Sequence, residues 1–180
     1  MLRQFFILTA FSLGAAAMAQ IDATGSISYV NNGSNYTYDI TLHNTGTTTI
    51  GTMWYAWTPG QDYLPIAPSS HSGPANWTFT QTTSAGFGFG LRWVAQSGSL
   101  LQPGQSISGF SFTTTTTPTE LLGNTIFGTH PPVGTTFIYQ GGPFVGQSKQ
   151  ILINPVPEPA TALVMVPGLA LMARRRRSRA

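Results

Sequence analysis

Few residues in this chain could do chemistry, and their spacing is more informative than their number. The histidines are His43, His71 and His130. His43 and Asp39 fall on the polar side of one alternating segment. Four extended residues separate them by about 13 Å, too far to share a metal. His71 sits among serine, proline and glycine, and His130 precedes Pro131-Pro132. All three read as solvated loop or edge residues. Asp22, Asp39 and Asp62 lack the dense oxygen spacing of a calcium loop. No carboxylate pair stands out for glycoside hydrolysis. Gly86-Phe87-Gly88-Phe89-Gly90 superficially looks like a nucleotide glycine loop, but it lacks the usual final spacing and a following helix, and phenylalanines interleave it. Glycines on one strand face, permitting close packing, explain it better. There is no Gly-x-Ser-x-Gly elbow. The chain has no cysteine, which removes thiol nucleophiles, cysteine zinc sites and iron–sulfur centres. The sequence therefore assigns no catalytic residue, no metal and no cofactor.

Aromatic side chains are the remaining candidates. Trp54, Trp57 and Tyr63 are the sugar-binding candidates, because exposed rings stack on pyranose faces while amides donate to hydroxyls. Alternation puts Met53, Tyr55 and Trp57 on one face and Trp54 and Ala56 on the other, with Tyr63 in the following loop. Trp77 and Trp93 complete the set. The competing reading is that tryptophans fill a two-layer core. Burial of all four favours the core; two exposed coplanar rings one sugar repeat apart favour binding. The Thr113–Thr117 run reads as a polar edge or loop entry.

The elements that must position these residues are strands. Tyr36, Tyr38, Ile40 and Leu42 alternate with Thr37, Asp39, Thr41 and His43, the period of a half-buried strand. Gly25–Val30 precedes it across Asn31-Asn32-Gly33-Ser34-Asn35, a hairpin signal. Further strands are expected at Ile50–Trp57, Trp77–Gln81, Gly86–Ala95, Ser106–Thr114, Thr125–Phe127, Thr136–Tyr139 and Lys149–Ile153. Gln61–Ala75 reads as a long loop, Gly109 as a bulge, and no helix is expected between the termini. Short strands with Gly/Pro turns predict an all-β fold, an antiparallel β-sandwich. The turns Asn44-Thr45-Gly46 and Leu101-Gln102-Pro103-Gly104 resemble those of immunoglobulin-like bacterial surface sandwiches.

The two ends have a different character. Arg3, the apolar run Phe5–Ala17 and Ala17-Met18-Ala19 before Gln20 have the layout of an export signal, a helix cleaved after Ala19. Sec-type export machinery and signal peptidase are the implied partners. The whole chain carries net charge +3. Residues 20–159 hold only Arg92 and Lys149 against Asp22, Asp39, Asp62, Glu120 and Glu158, a balance of −3. The basic character belongs to the ends, so the body gives no argument for nucleic acid as a partner.

The C-terminus reads Val156-Pro157-Glu158-Pro159, an apolar run Ala160–Ala173, then Arg174-Arg175-Arg176-Arg177-Ser178-Arg179-Ala180. Clustered arginines resist crossing a bilayer and stay on the cytoplasmic side. As a helix the apolar run spans about 21 Å, short of a hydrocarbon core of roughly 30 Å. Pro167-Gly168 weakens it further. That suits a temporary, short transmembrane helix. Pro157 and Pro159 hold Glu158 extended, in a form a processing enzyme can grip.

These residues resemble the PEP-CTERM sorting signal of Gram-negative bacteria with exopolysaccharide-rich envelopes. The resemblance covers Pro157, Glu158, Pro159, the run Ala160–Ala173 and Arg174–Arg179. It implies recognition by a membrane-embedded exosortase, a cysteine transpeptidase-like enzyme, which removes the tail. The domain is then released or attached outside. The proline within the apolar run departs from the pattern. An ordinary tail anchor that is never cut is the alternative.

The expected organisation is a signal peptide at 1–19, a β-sandwich at 20–154 and a sorting signal at 155–180. The expected function is that of a non-catalytic, exported envelope or extracellular-matrix protein. It is anchored in the inner membrane as a precursor, then carried to the cell surface or matrix. A carbohydrate-binding module for exopolysaccharide is the alternative, and a secreted hydrolase the third reading. N-terminal sequencing of the exported protein should begin at Gln20; a start well upstream overturns the leader assignment.

Overall fold

The computed structural model of the chain describes residues 18–84, 88–122 and 131–155. The leader up to Ala17, Gly86-Phe87, the strand expected at Thr125–Phe127, His130 and the sorting signal from Val156 onward lie outside the described residues. Among those described, no helix is long and apolar enough to cross a membrane.

Strand is the dominant regular structure of the described residues, with one short helix. In order come β1 (Ala23–Asn31), β2 (Tyr36–Asn44), β3 (Thr52–Tyr55), β4 (Trp57–Thr58), β5 (Gln61–Asp62), β6 (Ser70–Ser72), β7 (Trp77–Ser84), β8 (Gly88–Ala95), β9 (Ser106–Thr114), α1 (Pro118–Leu122), β10 (Thr135–Tyr139) and β11 (Ser148–Pro155). Nine strands form one ladder in the order β6-β9-β2-β1-β11-β10-β3-β8-β7, while β4 and β5 form a separate ribbon. The ladder folds over on itself. Tyr55 of β3 lies 5.5 Å from Phe112 of β9 between ring centroids. Phe110 of β9 meets Trp77 of β7 at 5.1 Å and Trp93 of β8 at 5.6 Å. The outer strands nearly close the structure: His71 of β6 stacks on Phe79 of β7 at 3.6 Å. Trp93 Nε1–H donates to the Ser72 carbonyl at 2.9 Å. The result lies between a sandwich and a barrel.

The period-two pattern of β2 places Tyr38, Ile40 and Leu42 in the core with no exposed surface. The hairpin from β1 to β2 turns at Gly33, with φ of 89°, and the Asn31 side chain accepts from the Gly33 N–H at 2.9 Å. Between β2 and β9 the register slips between Ile40 and Leu42, where Gly109 has φ of 94°. This is the expected bulge, an extra residue that glycine accommodates.

Four expectations need correction. The sandwich is not wholly antiparallel, because β1 pairs in parallel with β11. Ile50–Trp57 is not one strand; Ala56 adopts φ of 54° and breaks it. The loop expected at Gln61–Ala75 contains β5, β6 and a two-bond bridge from Leu64 to Phe89. A short helix follows the threonine run. Thr117 N–H donates to Glu120 Oε2 at 2.6 Å and Glu120 N–H donates to Thr117 Oγ1 at 3.3 Å. That reciprocal cap, with Pro118 first in the helix, starts α1.

Burial raises the Tyr38 and Tyr55 phenols well above their ordinary value of 10.0. Tyr38 also donates to the Thr116 carbonyl at 2.7 Å. A pKa raised by folding means that the unfolded chain loses the proton first. The contribution is full below pH about 10 and is lost as pH climbs beyond it. Thermal melts should therefore be insensitive to these groups up to pH about 10 and fall steeply above it, less steeply in Tyr38→Phe.

Candidate functional site

The outer face of the half-sheet β11-β10-β3-β8-β7 gathers most of the chemistry-bearing side chains. Direct cross-strand partners run in a row from Gln150 through Phe137, Trp54 and Arg92 to Thr80. Partners of this kind point to the same side of a sheet, with strands about 4.8 Å apart. The row therefore presents an amide, two aromatic rings, a guanidinium and a hydroxyl in sequence.

The left-handed Ala56 decides which aromatics join it. Strict alternation would put Trp57 on the inner side with Tyr55. The reversal at Ala56 turns Trp57 outward instead, and its ring stacks on Trp54 at 3.8 Å with planes 7° apart. Trp54, Trp57 and Tyr139 form a buried cluster separate from the main core, with Phe137 packed against it. Burial raises the Tyr139 phenol pKa. The Arg92 guanidinium carbon lies 4.8 Å from the Trp54 ring centroid, a cation–π contact of about 0.5–2 kcal/mol.

A polar chain anchors the same cluster. Trp54 Nε1–H donates to Thr82 Oγ1 at 3.1 Å, and Thr82 donates to Asp62 Oδ1 at 2.6 Å. Ser84 donates to Asp62 Oδ2 at 2.5 Å. Asp62 is buried, and both its oxygens are held by hydroxyls, as a buried carboxylate requires. Room for it comes from Gly90, where a Cβ would collide with Asp62 Oδ1 and stand 2.6 Å from Thr82 Oγ1. Gly90 thus makes space for a carboxylate, while Gly88 permits close approach of backbone, its Cβ position lying 2.8 Å from the Leu64 carbonyl oxygen.

Of the sequence candidates, the structure brings Trp54 and Trp57 together and leaves Tyr63 apart. Tyr63 belongs to the main core, and its hydroxyl bonds Thr58 and Gln61. None of the three offers an exposed ring: Trp54 is 5% exposed, Trp57 4% and Tyr63 1%, and Trp77 and Trp93 are buried as well. Ala19 and Gln20 are exposed at the entry to the described chain. His43 Nδ1 pairs with Ser106 Oγ at 2.9 Å. No three His, Cys, Asp or Glu side chains gather to hold a metal among the described residues.

The residue that sequence reasoning missed is Phe144. It lies in the hairpin from β10 to β11 and is 66% exposed. Its ring meets Trp54, Trp57 and Tyr139 edge-on at 5.7, 5.8 and 5.5 Å. Val145 N–H donates to the Gly142 carbonyl at 3.0 Å, which makes Gly142–Val145 a β-turn. Pro143 follows Gly142, and Phe144 has φ of 63°. Proline then a positive φ is the type II pattern, in which the second central position favours glycine. The signal Gly141-Gly142-Pro143 was visible in the sequence; the aromatic beneath it was not.

Gly90→Ala should cost about 3 kcal/mol in urea unfolding, through overpacking and loss of the Asp62 hydroxyl bonds. A loss below 0.5 kcal/mol would mean that Asp62 relocates freely.

No family model matches the chain, and no curated protein does. Solved structures with partial likeness include a GH20 exo-β-N-acetylglucosaminidase from Vibrio harveyi in complex with N-acetylglucosamine. It shows 16% identity and a TM-score of 0.43, covering 75% of this chain and 18% of that one. The CBM3 of Hungateiclostridium clariflavum shows 10% identity and a TM-score of 0.42, covering 77% of this chain and 100% of that one. At these identities and scores no residue role passes from either protein to this chain.

Proposed function

We propose that this chain is the precursor of a non-catalytic, exported protein of the cell envelope or extracellular matrix. Sec-type machinery exports it, signal peptidase trims it at Ala19, and an exosortase processes it near Pro157-Glu158-Pro159 while Ala160–Ala173 and the arginines hold it briefly in the inner membrane. One observation carries the reading: leader-like and sorting-like sequences bracket a single β-body. The last strand among the described residues ends at Pro155, and the Pro-Glu-Pro segment follows closely in sequence. The body itself is proposed to be an immunoglobulin-like sandwich. Support comes from the neighbour order β6-β9-β2-β1 and β11-β10-β3, which parallels the D-E-B-A and G-F-C halves of that fold. Burial of all four tryptophans favours this delivery role over stacking of sugar on Trp54 or Trp57.

A second reading, carbohydrate binding, is favoured by one observation. Phe144 stands exposed on an aromatic bed beside uncharged polar residues.

Mass spectrometry of the mature protein should find the C-terminus at or near Pro157–Pro159, and deletion of residues 157–180 should leave an exported body that never enters the membrane fraction. An intact Arg174–Arg179 on the mature, surface-located protein defeats the processing claim.

A further inference from the structure

The most conspicuous conflict between local preference and observed structure is at Phe144. A bulky residue with positive φ carries strain that glycine would avoid. A large apolar ring left mostly in water gains little from burial. Both disadvantages meet in one residue, at a turn position where glycine is the ordinary choice. Strain of this kind, when it is kept, points toward function.

The surroundings hold the ring in place. Trp54, Trp57 and Tyr139 flank it at 5.5 to 5.8 Å. The loop beneath is pinned by Gln140 N–H to the Gln147 carbonyl at 2.9 Å and by Gly141 N–H to the Val145 carbonyl at 3.2 Å. Phe144 is thus a rigid ring on a rigid mount, so a partner would spend little entropy in ordering it.

Charge and size select the occupant. Residues Gln140–Ser148 contain no charged side chain, and the Arg92 cation on this face is laid on the Trp54 ring, 4.8 Å from its centroid. Lys149, next in sequence, is engaged by Asp22 at 2.7 Å. The exposed apolar surface here is Phe144 and Val145, about the size of one sugar ring. That is far below the roughly 800 Å² per partner of a stable protein interface. The exposed Gln150, cross-strand partner of Phe137, supplies an amide on this side of the sheet. A neutral pyranose with equatorial hydroxyls offers a flat C–H face to an aromatic ring and hydroxyls to amides.

We propose that Phe144, mounted on Trp54, Trp57 and Tyr139, is the stacking ring of a subsite for neutral, gluco-configured polysaccharide. This deepens the carbohydrate reading above and rests on it. Trp54 and Trp57 act as positioning residues that set the ring's height and angle without touching the sugar.

The test uses the full chain, purified in mild detergent, in native gels containing hydroxyethyl cellulose, alginate or no polymer. Hydroxyethyl cellulose should retard the wild type and alginate should not. Phe144→Gly should lose that retardation by at least about five-fold while its melting temperature stays within about 3 °C of wild type or rises, because the turn strain is relieved. Phe144→Ala should lose retardation and melt lower, since the positive φ persists without the ring contacts. Phe144→Trp should retain binding. If Phe144→Gly is retarded like wild type, the ring is only a cap; the proposal fails and the carbohydrate reading survives elsewhere on the surface. If neither polymer retards the wild type, both fail. Retardation by alginate alone, or self-association of the wild type that Phe144→Gly abolishes, also overturns the proposal.

Discussion

The parallel seam between β1 and β11 holds the architecture together. Gly25, Ser26 and Ile27 of β1 align with Ile153, Asn154 and Pro155 of β11. Without that seam the ladder separates into a β6-β9-β2-β1 half and a β11-β10-β3-β8-β7 half, each with an apolar face to cover. Gly25 is required there, because a Cβ would sit 2.6 Å from Ile153 Cγ1. Polar contacts extend the seam toward the chain entry. Gln147 bonds both the Ala19 carbonyl and the Ile21 N–H, and Lys149 reaches Asp22. The ion pair is half exposed and contributes little in water. Its use is to fix which part of β11 lies beside β1. Joining residues so distant in sequence makes the topology strongly non-local, a property of slow-folding β proteins.

Strand β3 is covered on both sides, and this explains its composition. Met53 and Tyr55 face the main core while Thr52 and Trp54 face outward, and all four are buried. Trp54 is covered by Trp57, Phe137 and Tyr139 rather than by a second sheet, and Thr52 donates to the Gly141 carbonyl at 2.7 Å. Asp62 completes the arrangement. Its carboxylate orients Thr82, Thr82 orients the Trp54 indole, and the indole carries both Trp57 and the Arg92 guanidinium.

What the sequence made legible was local and periodic. The alternation of β2, the Asn-Gly hairpin, the Gly109 bulge and the glycines sharing one strand face all follow from chain geometry over a few residues. The unread features needed information from elsewhere in the fold. The parallel partner of β1 lies well over a hundred residues away. Ala56 carries no mark of a positive φ, since alanine ordinarily avoids that region, so Trp57 was placed on the wrong face. Asp62 looked like a loop residue because its hydroxyl partners belong to another strand. Phe144 was hidden by its type: its turn position suggests glycine, and its ring suggests core.

The parallel seam has a mechanical consequence. A tether attached after Pro155 pulls on β11 along its own axis, while β1 runs alongside in the same direction. The hydrogen bonds between them would then be loaded together, in shear, and would have to fail as a group instead of opening one after another. A body fastened by its C-terminus and dragged by flow would resist extension at the strand where the load enters.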